Sequence, residues 1–281
     1  MDWELNCQFA GVIWAMEAGL FERAGLLVDV VPPSRQSGAP VLDLIAGHGA
    51  AVGTVEENLV MQAAAAGHGV RAVGAMLQRS PLVLMARGGV GVQNIGDLHG
   101  RRVAMHADGA AHLRAILALH DIDPAGVHIT VGGWSLGDLE AGQFDAVQGY
   151  AITEAHTLGQ GAWLIPLHHP KLSPSSIVMA AGAQTLKAQG AQVQAMVRAV
   201  AEGWRCVLAD PARAADHVAA VSREHSDPET NMAILSGIGA YANGPAGICG
   251  LDRSQWSRNL ETLADNGLVP GGVGIDTIIW D

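Results

Sequence analysis

Charged side chains are scarce, 15% of 281 residues, and basic ones scarcest, with 16 Lys and Arg against 27 Asp and Glu. The formal charge of −11 excludes a basic nucleic-acid binder, whose phosphate contacts need a cationic face. No apolar run reaches the roughly 18 residues of a spanning helix. The longest, such as GVIWAM and IVMAAGA, are too short, so the chain is not expected to span a membrane. Cysteines number three, Cys7, Cys206 and Cys249, an odd and widely spaced set without CxxC. That excludes a disulfide framework and favours a reducing compartment. Twelve histidines are scattered with no HExxH, and His168-His169 before Pro170 reads as a loop feature. No metal or other cofactor is expected. The opening MDWELN has no positive region ahead of an apolar one, so no secretory signal is legible. The protein is therefore expected to be periplasmic or lipid-anchored if a leader was removed, and cytoplasmic otherwise.

What is abundant is apolar: 49% hydrophobic residues and 36 glycines, enough to bury a large core. At this length one core is near its upper limit, which favours two lobes. The stretch AGVIWAMEAGLFERAG (10–25) carries a helical stripe closed by Gly25, and LLVDVV (26–31) reads as a strand stopped by Pro32 and Pro33. From VLDLIAG to AWLIPL, strand-like and helix-like segments alternate, and several strands are apolar enough to be covered on both faces. The fold class is α/β. After SSIVMAAG comes a helix-rich tail, with Pro211, Pro228 and Asp252 suited to helix starts. No repeat or flexible linker separates two domains, so the chain must cross between lobes more than once. Trp14, Trp163, Trp204 and Trp256 sit in regular patterns and read as core.

In open α/β sheets, ligands bind where strand ends hand over to helix starts. Such handovers fall at Trp3 to Phe9, Thr54 to Asn58, His106 to His112, Gly132 to Ser135 and Gln148 to Glu154. Helix starts attract anions, yet these carry Glu56, Glu57, Asp108 and Glu154, which disfavours an anionic ligand. Acids with Trp3 and Trp134 suit a flat, neutral or cationic nitrogen heterocycle. The plain alternative is that each acid only caps its helix.

In the first 33 residues, Asp2, Trp3, Asn6, Ala10, Gly11, Ala15, Gly19, Phe21, Gly25 and Leu26 fall in register with a pattern of Asp-Trp, Pro-Asn-Thr, His-Ala-Gly, Ala, Gly-Tyr-Phe and Gly-Leu-Asp-Val. Further blocks follow at AVGTVEENLVMQAAAAGHGVRAVGAMLQRSP, NIGDLHGRRVAM, LEAGQFDAVQGY and EGWRCVLADPARAA. In these blocks the chain resembles the substrate-binding proteins of ABC importers for thiamine precursors and, more broadly, for nitrate, sulfonates and taurine. The Glu-Glu-Asn at 56–58 and Gln-Arg-Ser-Pro at 78–81 look more like the pyrimidine-precursor binders. The resemblance implies a two-lobed type II periplasmic-binding-protein fold with two crossing strands, PLVLMAR and SSIVMAA. Lobe I would be residues 1–80 plus 182–281, and lobe II residues 81–181. It implies a small-molecule ligand bound by hinge closure and an ABC permease as partner. Ligand-binding residues would be Trp3, Asn6, Cys7, Phe9, Glu56, Glu57, His106, Asp108, Trp134, Gln148, Tyr150 and Glu154.

The departures point elsewhere. Cys7 and Phe9 replace a Thr and a His that face ligand in the family pattern. A cysteine ahead of a helix start is where a thiolate is stabilised, so Cys7 is the candidate nucleophile of an alternative, a cytoplasmic enzyme acting on a small aromatic or heterocyclic substrate. The biphenyl sulfinate desulfinases resemble the chain at this segment, with Arg35 and His48 only loosely near their partner positions. The eukaryotic-type pyrimidine synthases are also similar, but Val55 and Leu59 stand at their Lys and His positions and the cysteine-rich iron motif is missing, which excludes that activity. The plain reading of Cys7 is a small packing residue, and Cys206 and Cys249 read as structural.

Overall fold

The computed structural model describes residues 1–33, 40–47, 52–153, 162–222 and 227–280. In chain order they form a 3-10 turn (Cys7–Phe9), α1 (Ala10–Glu17), α2 (Leu20–Arg23), α3 (Val41–Ala46), β1 (Gly53–Val55), α4 (Glu57–Ala65), β2 (Val70–Leu77), β3 (Leu82–Ala86), β4 (Arg102–Met105), α5 (Ala107–Leu119), β5 (His128–Val131), α6 (Leu136–Glu140), β6 (Ala146–Tyr150), β7 (Trp163–Pro166), β8 (Ser176–Gly182), α7 (Ala183–Ala209), α8 (Pro211–Val221), α9 (Pro228–Ala242), α10 (Arg253–Asp265) and α11 (Ile275–Ile278). The α/β alternation is as the sequence reads. Among these residues, no helix is long and apolar enough to cross a membrane.

Contacts divide the chain into two units. Unit 1 comprises Met1–Ser80, Pro174–Ser257 and Gly272–Asp281, and unit 2 comprises Pro81–Ser173 and Arg258–Gly271. Residues 174–181 fall in unit 1 and 258–271 in unit 2. The segments read as crossing strands begin where the chain passes between the units, β3 falling in unit 2 and β8 in unit 1. The chain passes over just ahead of each, at Ser80/Pro81 and Ser173/Pro174.

Unit 1 holds an antiparallel sheet of order β1-β8-β2. All seven residues of β8 are buried, as its apolar run and central place require. The tail helices start where polar caps dictate. Asp210 accepts from the Arg213 amide ahead of Pro211, and Asp227 accepts from Glu229 and Thr230 across Pro228. Helix α1 meets α7 at Gly11 and Gly203, and both glycines are required there. A Cβ at Gly11 would run into the Trp204 ring, and one at Gly203 into the Gly11 carbonyl. The helix expected over 10–25 is two helices, because Gly19 takes a left-handed turn at φ 63°. The strand expected over LLVDVV does not form. None of residues 26–31 is buried, and Leu27 is 99% exposed, so the run is only half-covered on one face. The Met1 ammonium donates to the Val31 carbonyl at 2.8 Å.

Unit 2 holds a mixed sheet of order β5-β4-β6-β3-β7, with β4 parallel to β5 and β6, and β3 antiparallel to β6 and β7. Its apolar cluster is Val83, Met85, Ala104, Leu139 and Val147, with Trp134, Leu136 and Phe144 packed against it. Trp14, Trp204 and Trp256 are buried, but Trp163 is not core. It lies on edge strand β7 and is 45% exposed.

Candidate functional site

In unit 1 the candidate residues cluster around the first turn and the end of β1. Asn6 is buried and its side chain caps the 3-10 turn, accepting from the Gln8 amide at 2.8 Å. Phe9 is 1% exposed, a core residue where the family pattern implies a ligand-facing one. Trp3 is 44% exposed. Cys7 is fully buried, and its Sγ donates to Asn231 Oδ1 at 3.2 Å. Burial pushes the thiol pKa up to about 12. Desolvation of the charged sulfur thus opposes the thiolate expected from a helix start and outweighs the backbone hydrogen bond that favours it. The residue packs in the core with one polar partner, Asn231. Arg35 and His48 lie outside the described residues.

Glu56 and Glu57 are held by the segment leading into β8. Glu56 Oε1 accepts from Ser176 Oγ at 2.7 Å, and buried Glu57 accepts from the Ser175 amide through Oε2, also at 2.7 Å. Ser175 Oγ in turn accepts from Trp256 Nε1 at 3.2 Å. Ile177, the second residue of β8, has φ 52°, a left-handed conformation that costs a β-branched side chain on the order of 1–3 kcal/mol. The glutamates are anchors of this strained entry. The sequence reading missed Ser175, Ser176 and Asn231, and took Trp256 as apolar core. The one visible signal was the Ser-Pro-Ser-Ser run at 173–176, whose small polar residues suit a chain that must bond locally.

In unit 2 the candidates come together at the start of α5. The His106 amide donates to Gln148 Oε1 at 3.0 Å, which fixes the Gln148 side chain, itself 3% exposed on β6. Gly109 permits this approach, since a Cβ there would run into Gln148 Oε1. The rings of His106 and Trp134 stand 5.0 Å apart with a 37° tilt. Among the described residues Trp134 Nε1 is buried with no hydrogen-bond partner, and the ring packs against the apolar cluster of unit 2. Asp108 occupies the first turn of α5, and no side chain of His106 caps that helix. Tyr150 ends β6, paired with Leu82. One turn beyond Asp108, buried His112 has Nε2 2.6 Å from the Leu167 carbonyl, and burial pushes its pKa below the ordinary 6.5. The neutral ring donates that hydrogen bond. Glu154 lies outside the described residues. Among the described residues, no group of three or more His, Cys, Asp or Glu could hold a metal ion.

The family described as NMT1/THI5 like matches residues 6–214. Among curated proteins, none matches the sequence. Solved structures do. The alkanesulfonate-binding protein SsuA of Xanthomonas axonopodis pv. citri, bound to MOPS, is 18% identical, with a TM-score of 0.73 over 98% of this chain and 95% of that one. The periplasmic aliphatic sulphonate binding protein SsuA of Escherichia coli is 16% identical, with a TM-score of 0.74 over 98% and 94%. A cysteine-to-serine variant of DSZB in complex with biphenyl-2-sulfinic acid is 15% identical, with a TM-score of 0.64 over 97% and 92%. At such identities the likeness establishes the fold, the two-lobed type II periplasmic-binding-protein fold.

Proposed function

Because the chain belongs to the NMT1/THI5-like family, we propose that it is the substrate-binding component of an ABC importer, taking a flat, neutral or cationic nitrogen heterocycle of the thiamine-pyrimidine-precursor kind. It acts in the periplasm or from a lipid anchor and delivers to an ABC permease, with the ligand stabilising the closed form of the two-lobed fold. The observation that carries the ligand class is the His106–Trp134 ring pair, with Asp108 in the first turn of the same helix, α5. A flat ring gains about 0.5–1.5 kcal/mol from aromatic packing beyond its buried area. The carboxylate favours a ligand bearing N–H donors or positive charge.

A second ligand, a small sulfonate, is favoured by a different observation. The N-cap residues of α4 and α5, Glu56 and His106, place no side-chain cap on those helices, and the positive end of a helix dipole favours an anion. The likeness to two sulfonate binders supports it too. Thermal-shift titration with aminopyrimidines and with alkanesulfonates separates the two. Saturating aminopyrimidine is expected to stabilise the protein by about 2.7 kcal/mol at a hundredfold excess over Kd. Stabilisation by sulfonates alone would replace the heterocycle reading with the anion reading.

A further inference from the structure

Apart from the residues described above, unit 1 contains a cavity of about 670 Å³, within the range of roughly 300–1,000 Å³ typical of ligand pockets. None of the candidate ligand residues lines it. One wall is a face of α7, on which Gln194, Arg198, Ala201, Glu202 and Arg205 recur at helical spacing. The rest of the lining is residues 248–251 and Trp280, with Val73, Val197 and Cys249 supplying apolar surface.

The walls are fixed by backbone bonds. The Ala75 amide donates to the Cys249 carbonyl at 3.3 Å, and the Trp280 amide donates to the Ala72 carbonyl at 2.9 Å. The Trp280 ring lies against Gly190, close enough that a Cβ there would press on it. Burial keeps the Cys249 thiol neutral, with its pKa pushed up to about 12, so it serves as apolar surface.

The charges are unevenly committed. Arg205 donates to Glu202 at 2.8 Å. Arg198 has no hydrogen-bond or ion-pair partner among the described residues. The cavity therefore carries a net positive charge on a chain whose formal charge is −11. A planar guanidinium fork matches a carboxylate in geometry, and Glu202 disfavours a second negative charge. Apolar surface together with an indole favours a ring.

We propose that this cavity binds a small aromatic monocarboxylate, with Arg198 clasping the carboxylate and the ring lying against the apolar surface and Trp280. The site does not depend on the importer reading. Calorimetric titration with benzoate, with benzamide as its neutral isostere and acetate as the ring-free anion, tests it. Benzoate is expected to bind, and benzamide and acetate to bind at least about tenfold more weakly. Arg198 is exposed, so Arg198→Met is expected to leave the unfolding midpoint unchanged while weakening benzoate at least about tenfold. Trp134→Ala is expected to leave benzoate affinity intact. No binding of benzoate, equal binding of benzamide, indifference to Arg198→Met, or loss on Trp134→Ala would each overturn the proposal.

Discussion

In unit 1 the polar candidates are bound into the protein itself: Glu56 and Glu57 to the serines that lead into β8, Asn6 to its own turn and Cys7 to Asn231. In unit 2 the candidates are bonded through backbone and Gln148, and that bonding leaves two aromatic rings side by side at a helix start. The same kinds of residue at the same kind of strand-to-helix handover thus do different work. A carboxylate at such a point anchors a neighbouring segment when that segment offers amide or hydroxyl donors. A ring with no matching acceptor packs by its faces, as Trp134 does against His106 and the apolar cluster.

The largest effect that could break this contrast is at Glu57. Removing its carboxylate leaves the buried Ser175 amide without an acceptor, so Glu57→Ala is expected to cost about 2–3 kcal/mol in urea unfolding. Unchanged stability with lost ligand binding would make Glu57 a ligand residue and erase the difference between the units. Next in size is Trp134→Ala, expected to weaken ligand binding about tenfold in calorimetry, or about 1.4 kcal/mol. An unaltered affinity would remove unit 2's claim to the site. Cys7→Ser should cost only about 1 kcal/mol, and the native thiol should resist alkylation near neutral pH while reacting in urea, as read by mass spectrometry. Rapid modification of the folded protein would return the nucleophile to consideration. The smallest effect is a pH slope from His112. Its folded pKa is depressed, so its contribution is fully present above the ordinary 6.5 and is lost as pH falls below it. Urea midpoints should therefore decline through that window, and His112→Gln should flatten the decline. A decline that survives the substitution would place the titrating group elsewhere.

Much of the fold could be read from the sequence because its signals are local. The buried runs of β3 and β8 and the Pro-led starts of α8 and α9 each lie within a few residues. What could not be read depends on distant partners. Glu57 and Ser175 are 118 residues apart, and Cys7 and Asn231 are 224 apart. Local pattern suggested a helix-activated thiol at Cys7, whereas tertiary packing made it a buried one. Trp163 and LLVDVV failed for a related reason. An apolar run declares that it could be covered, but only strand order and neighbouring segments decide whether anything covers it.

The crossing of α1 and α7 carries a consequence for inheritance. Gly11 is confined by the Trp204 ring, a side chain, so drift at Gly11 can be compensated by a smaller residue at 204. Gly203 is confined by the Gly11 carbonyl, which belongs to the backbone and is present whatever residue stands there. No substitution in the partner helix can make room for a side chain at 203 while the two helices keep this spacing. Descendants of this chain are therefore free to trade position 11 against 204, but are bound to keep glycine at 203 or give up the crossing.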